Sequence, residues 1–210
     1  MEKYFITIGR QLGSGGKRIG KELSQRLNIP CYDKELIMLA SRESGLGKEF
    51  FEEFDEKSSY SFWGKYLGFH SGFMGYDEVN YLCNENLFKI QSDVIRELAV
   101  KESGIFIGRC ADYLLRNFPH CLKVFISANT RDRIKQVMSD EKLTEKEAQV
   151  RIERCDKQRS SYYNYYSNKA WGVASSYDLC FNSSFLSIEE MAEIIEEQVK
   201  KKFLKIEPEI

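Results

Sequence analysis

The chain of 210 residues carries 31 basic and 32 acidic side chains, for a net charge of -1. That balance excludes the global cationic field that holds a protein on nucleic acid, so any polyanion must be met locally. The length suits a single domain, 1–210, with a full core; no run approaches the roughly 18 to 20 apolar residues of a membrane span.

Six cysteines, Cys31, Cys83, Cys110, Cys121, Cys155 and Cys180, are scattered without a CxxC pair. Together with an opening segment too short and mixed for targeting, they predict reduced thiols in a soluble cytoplasmic protein and argue against zinc.

In chain order, residues 3–8 (KYFITI) form a β-rich apolar run that stops at the polar, glycine-dense GRQLGSGG. The spacing of Ile19, Leu23 and Leu27 then predicts an amphipathic helix. A second short strand at 29–32 and a helix over 34–42 follow. Residues 58–81 mix Phe, Tyr and Trp with glycine and keep no period. They read as part of an insertion over about 45–81 that covers the sheet or a second subunit, which points to a homodimer.

Leu87, Ile90, Val94 and Leu98 mark a long helix over 82–102, followed by strands at 105–108, 122–127 and 177–182. Helices are expected over 130–140 and 187–202, and one entered at Thr144 through a capping box with Glu147. Five strands alternating with helices imply an α/β three-layer sandwich around a five-stranded parallel sheet.

The chemistry is expected at Gly13, Ser14, Gly15 and Gly16. Between a first strand and a first helix, glycines let backbone N–H groups converge on a phosphate and the helix dipole adds positive potential. The strict GxxxxGK[ST] pattern fails, because with Lys17 taken as the loop lysine Gln11 occupies the first glycine position and Arg18 the hydroxyl position. In the register that keeps Ile19 and Leu23 on the core, Gly16 stands where the lysine belongs, and Lys17 and Arg18 fill the two hydroxyl positions. Arg10, Lys17 and Arg18 are equal candidates for the missing charge.

Taken together, several segments resemble the cytidylate kinase-like family of P-loop nucleoside monophosphate kinases. They are ITIGRQLGSGG with its helix, Gly108-Arg109, NFPHCLKVFISANTRDRIKQV, the D-x-x-R of Asp156 and Arg159, and SSYDLCFNSSFLSIEEMAEII. The resemblance implies a P-loop kinase fold with a helical acceptor insertion and a lid over about 143–170. It implies transfer of the γ-phosphoryl of ATP, with Mg2+, to a nucleoside monophosphate or similar small phosphorylated acceptor.

By that resemblance Arg109 contacts the acceptor phosphate, and Arg159, with Arg151, Arg154 and Lys157 nearby, belongs to the lid over the donor phosphates. Arg109, Arg159 and Lys17 are the catalytic candidates. Asp33 is either an acceptor contact or a helix N-cap. Tyr162, Tyr163, Tyr165 and Tyr166 pack lid against body or stack on a base. Cys110 replaces the acid of the family's GRD, leaving Asp112 as a substitute and the metal ligands unassigned. The alternative function is a catalytically impaired nucleotide-binding or regulatory protein on the same fold.

Overall fold

The structure is a computed structural model that describes residues 2–34, 36–37, 40 and 85–204. The insertion expected over 45–81 lies outside the described residues. In chain order the elements are β1 (Phe5–Arg10), α1 (Gly16–Leu27), β2 (Cys31–Tyr32), α2 (Glu85–Lys101), β3 (Gly104–Ile107) and α3 (Ala111–Leu114). They continue as β4 (Cys121–Ser127), α4 (Thr130–Glu141), α5 (Glu145–Ser167), β5 (Leu179–Asn182) and α6 (Ile188–Val199).

The five strands form one sheet, all parallel, in the order β2-β3-β1-β4-β5. Side chains alternate across it, as the pleat requires. Ile6 and Ile8 of β1 face a core shared with Ile19 and Leu23 of α1 and with Met191 and Ile195 of α6. Phe5 faces the opposite layer, where Val94 and Ile95 of α2 pack with Phe106, Leu114 and Leu115. A smaller cluster of Val137, Ala148 and Ile152 joins α4 to α5 and takes up Leu12 from the loop after β1.

Helix ends follow from local chemistry. Thr144 and Ser187 each cap their helices in a complete capping box with Glu147 and Glu190. α1 leaves through Asn28 in the left-handed region, φ 49°.

β1 runs two residues further than the apolar pattern of 3–8 indicates. Gly9 and Arg10 continue the ladder opposite Phe125 and Ile126 of β4. Backbone pairing, not side-chain hydropathy, sets the strand's end. β5 is shorter than its pattern, because Ala174–Ser176 form a 3-10 turn and Tyr177 remains outside the strand. Among the described residues no helix is long and apolar enough to cross a membrane.

The order of the strands decides where a ligand goes. From β1 the chain crosses to β2 on one side, whereas from β3 it crosses over β1 to β4 on the other. The crevice between the carboxyl ends of β1 and β3 is therefore the switch point of the sheet, the place where open α/β sheets bind ligands. The glycine loop after β1 and Gly108-Arg109 after β3 both open onto it.

α1 lies against the sheet at Gly20, where an added methyl would stand 2.7 Å from Ile107 Cδ1 and 3.1 Å from Cys31 Sγ. Gly20→Val should force the helix off β3 and destabilise the fold by about 1–3 kcal/mol, as overpacking does. Urea denaturation checks this, with a lowered midpoint at unchanged slope as the expected result.

Candidate phosphate-binding site

Hydrogen bonds to both flanks tie down the loop over residues 11–15. Gln11 N–H donates to Ile126 O (3.0 Å), and Ala128 N–H donates to Gln11 Oε1 (3.2 Å). Ser14 is buried, its hydroxyl 2.9 Å from Gln11 O and 3.0 Å from Ile126 O. It therefore fastens the loop to β4 and has no hydroxyl proton left for a ligand. Gly13 and Gly15 both have φ 78°, a conformation glycine adopts without strain. A methyl on Gly13 would also meet the Arg133 carbonyl at 2.7 Å.

Leu12 is gripped from two helices. Its N–H donates to Asp156 Oδ1 of α5 (2.9 Å), and its carbonyl accepts from Arg133 Nε of α4 (2.7 Å). Arg133 and Asp156 form an ion pair with each other, closing the ring. One turn along α5, Arg159 Nη1 donates to the carbonyl of Arg10 (3.0 Å). The spacing of three residues places both side chains of the D-x-x-R on the helix face toward the loop. Arg133 is absent from the sequence-based candidates, although its place four residues before buried Val137 puts it on the buried stripe of α4.

The first turn of α1 begins at Gly16, and its N-cap Gly15 supplies no side-chain cap. The Gly16 and Lys17 amides precede the first bonds of the helix, which Arg18 and Ile19 N–H make to Gly15 O (2.8 and 3.0 Å), and so lie at the positive end of its dipole. Arg10, the last residue of β1, lies across this turn. A methyl on Gly16 would stand 2.7 Å from Arg10 Cβ and 2.9 Å from Cγ, and one on Gly108 would stand 3.1 Å from Arg10 Cζ. The side chain thus passes over the start of α1 and ends on the turn that follows β3.

In that turn Gly108, Arg109 and Cys110 all have left-handed backbone, φ 76°, 54° and 54°. Gly108 N–H donates to Ile8 O (3.0 Å), tying the turn to β1. The Arg109 guanidinium lies over the Tyr162 ring, 5.4 Å from its centroid. Cys110 is only 3% exposed, and burial pushes its thiol well above the usual range, which leaves it neutral and unreactive. Asp112 is buried and accepts from Tyr163 Oη (2.7 Å). Burial raises its carboxyl above the usual range, while the Tyr163 hydrogen bond acts in the opposite direction.

Lys17 Nζ is 2.6 Å from Asp33 Oδ2, with the lysine side chain 71% exposed and the carboxylate 14%. Asp33 also caps the following helix, accepting from Leu36 N–H at 3.1 Å. Arg18 is exposed. Arg151 pairs with Glu141 at 3.0 Å, and Arg154 and Lys157 lie on the exposed side of α5. Of the four tyrosines, Tyr166 stacks on Phe88 at 3.7 Å between centroids, Tyr162 meets the same ring edge-on, and Tyr163 turns to Asp112. Tyr165 is 62% exposed, against the edge of Tyr166.

A metal held by the protein does not fit this loop. Lys17 and Arg18 fill the hydroxyl positions, and Ser14 is committed to carbonyls. Asp33, Asp112 and Asp156 are engaged by Lys17, Tyr163 and Arg133 respectively. Among the described residues no group of three His, Cys, Asp or Glu side chains converges.

A parallel five-stranded sheet in the order 2-3-1-4-5, with a glycine loop between its central strand and first helix, is the P-loop kinase fold. The chain belongs to the cytidylate kinase-like family, whose model matches residues 5–185. An uncharacterized protein from Eubacterium ventriosum is 27% identical and superposes with a TM-score of 0.71, over 95% of this chain and 100% of that one. Shikimate kinase from Bacteroides thetaiotaomicron shares the fold at 12% identity and a TM-score of 0.54, over 94% and 98% of the two chains. Shikimate kinase from Acinetobacter baumannii, solved in complex with shikimate, does so at 11% identity and 0.52, over 96% of each. No curated protein matches the sequence.

Two side chains offer direct checks. Removing Asp156 strands the buried charge of Arg133 and releases Leu12, so Asp156→Ala should cost about 3–5 kcal/mol, read as a loss of unfolding free energy in denaturant. Asp112→Asn keeps an acceptor for Tyr163 and removes the buried charge. A carboxyl raised by folding stabilises while protonated and loses that contribution as pH rises through its folded value. The variant should therefore melt above wild type at neutral pH, with the gap closing as pH falls toward about 4.

Proposed function

We infer that the protein is an ATP-dependent phosphotransferase. It moves the γ-phosphoryl of ATP to a nucleoside monophosphate or a similar small phosphorylated acceptor. One observation carries the reading: the glycine loop and the Arg109 turn stand at the carboxyl ends of adjacent strands, so a donor cradle and an acceptor-binding arginine share one crevice. Phosphoryl transfer asks for that arrangement, since its catalysis is positioning and charge neutralisation, not covalent chemistry.

In this reading the amides of Gly13, Gly15, Gly16 and Lys17 hold donor phosphate oxygens. Arg159, fixed beside the loop by its bond to Arg10 O, has further guanidinium N–H groups to offer a donor phosphate. Arg109 takes the acceptor phosphate, its guanidinium backed by Tyr162. Lys17 and Asp33 line the acceptor edge near β2. Arg151, Arg154 and Lys157 supply a positive outer margin. Mg2+ brought by the nucleotide would supply neutralisation of phosphate charge, while Asp33, Asp112 and Asp156 stay engaged by Lys17, Tyr163 and Arg133.

A second reading has its own observation. With Gly16 at the lysine position and Lys17 engaged by Asp33, the loop retains its backbone cradle and lacks the usual side-chain machinery. A nucleotide-binding protein without turnover would need no more.

The two readings part in a single assay. The protein is incubated with ATP, Mg2+ and a panel of nucleoside monophosphates, with shikimate as a further acceptor, and ADP release is compared with the acceptor-free rate. Acceptor-dependent release is expected for at least one nucleoside monophosphate. ATP binding with no acceptor-dependent release across the panel selects the second reading. Arg109→Ala should lower turnover at least about tenfold, worth about 1.4 kcal/mol of transition-state stabilisation.

A further inference from the structure

We propose that Arg10 replaces the missing loop lysine. It delivers the phosphate-facing charge from the end of β1, and the side-chain-free Gly16 exists to let it through. The assignment takes its ligand, a nucleoside triphosphate, from the phosphotransfer reading. It takes its residue from the geometry of the crevice.

Gly16 carries the strongest argument. Gly13, Gly15 and Gly108 have positive φ and need glycine for conformation. Gly16 does not: it opens an ordinary helical turn, whose backbone any residue can adopt. What forbids a side chain there is space, because a Cβ would stand 2.7 Å from Arg10 Cβ, 2.9 Å from Cγ and 3.7 Å from Cδ. A lysine at 16 and the observed path of Arg10 are mutually exclusive.

The path is fixed at both ends. At its root, Arg10 is the last residue of the β1 ladder, opposite Ile126, and its carbonyl is held by Arg159. At its tip the guanidinium lies on Gly108, where any Cβ would run into it, immediately before Arg109. The fork therefore sits between the amides of the donor cradle and the acceptor arginine, across the switch point. Its rigid, planar set of donors suits phosphate oxygens on two sides.

The other two cations point elsewhere. Lys17 reaches the Asp33 carboxylate, with its side chain 71% exposed. Arg18 lies on the exposed face of α1.

The test is a double-mutant cycle read by calorimetric binding of two probes, ATP and inorganic tripolyphosphate, with melting curves on every variant. Arg10→Ala keeps the backbone bond to Arg159 and should weaken both probes at least tenfold; Arg10→Lys should fall between. Gly16→Ala should melt below wild type, because its methyl crowds Arg10 Cβ at the root of the strand, and should weaken both probes, because it displaces the rest of the Arg10 side chain. In the Arg10→Ala background the same methyl still meets the Cβ that alanine keeps and lowers the melting temperature, but it should weaken probe binding no further.

Several outcomes overturn the assignment: wild-type affinity in Arg10→Ala, fully additive effects of the two substitutions, loss of binding confined to Lys17→Ala or Arg18→Ala, or no binding of either probe to wild type. Failure of the phosphotransfer reading looks different. Arg10-dependent probe binding without turnover on any acceptor removes that reading and leaves Arg10 in place. Undiminished turnover in Arg10→Ala does the reverse.

Discussion

The Arg133–Asp156 ion pair is the interaction on which the site depends. It is not a surface pair of negligible weight: Arg133 is buried, and both partners also bond the same loop residue, Leu12, one at its N–H and the other at its carbonyl. A buried pair of this kind is retained only when the remaining donors and acceptors are satisfied, and here the loop backbone satisfies them. The consequence is reciprocal. The loop cannot shift without exposing an unpaired charge, and the two helices cannot separate without releasing the loop. With Leu12 packed into the α4–α5 cluster and Arg159 on the Arg10 carbonyl, the backbone from 10 to 12 is held from outside the sheet. The glycines after it can therefore adopt left-handed conformations in one fixed arrangement.

Much of the fold was legible because its signals are local. The strand–loop–helix opening, the alternation of apolar runs with amphipathic helices and the capping boxes at Thr144 and Ser187 each need only a few adjacent residues. The end of β1 was not legible from hydropathy, since Gly9 and Arg10 belong to the strand through their pairing with Phe125 and Ile126. That error of two residues matters, for it moves Arg10 from a loop to the last rung of the central strand. Arg133 was missed for a related reason: an arginine on a buried stripe looks like a break in the pattern until a carboxylate from another helix is known to face it. Asp33, read as either N-cap or acceptor contact, performs the first role with one oxygen while the other pairs Lys17. A sequence cannot divide the two oxygens of one carboxylate between tasks.

The loop's departures from the usual pattern are coherent rather than degenerate. Loss of a lysine from position 16 alone would leave an empty place at the head of α1. Instead Arg10 lies across that place, and both positions it passes, Gly16 and Gly108, lack the Cβ that would block it. A lysine at the start of a helix is a flexible point charge. An arginine rooted in a strand and laid along two glycines is a fixed fork, with less side-chain freedom to lose when it meets an anion.

The turn at Arg109 shows the same economy from the other side of the crevice. Arg109 and Cys110 are consecutive non-glycine residues with left-handed backbone, φ 54° each, an arrangement that costs about 1–2 kcal/mol per residue. Burial of Cys110, Ala111, Leu114 and Leu115 offsets that cost, since all four, from the N-cap to the C-cap of α3, are almost wholly removed from water. Asp112 adds the link to α5 through Tyr163, the same helix that grips the loop after β1 through Asp156 and Arg159. One helix thus sets both the glycine loop after β1 and the turn after β3, and holds the two at a fixed separation. Under the proposed phosphotransfer, a barrier lowered by holding two phosphates at the right distance would gain from that preorganisation, beside the charge assigned to Arg10.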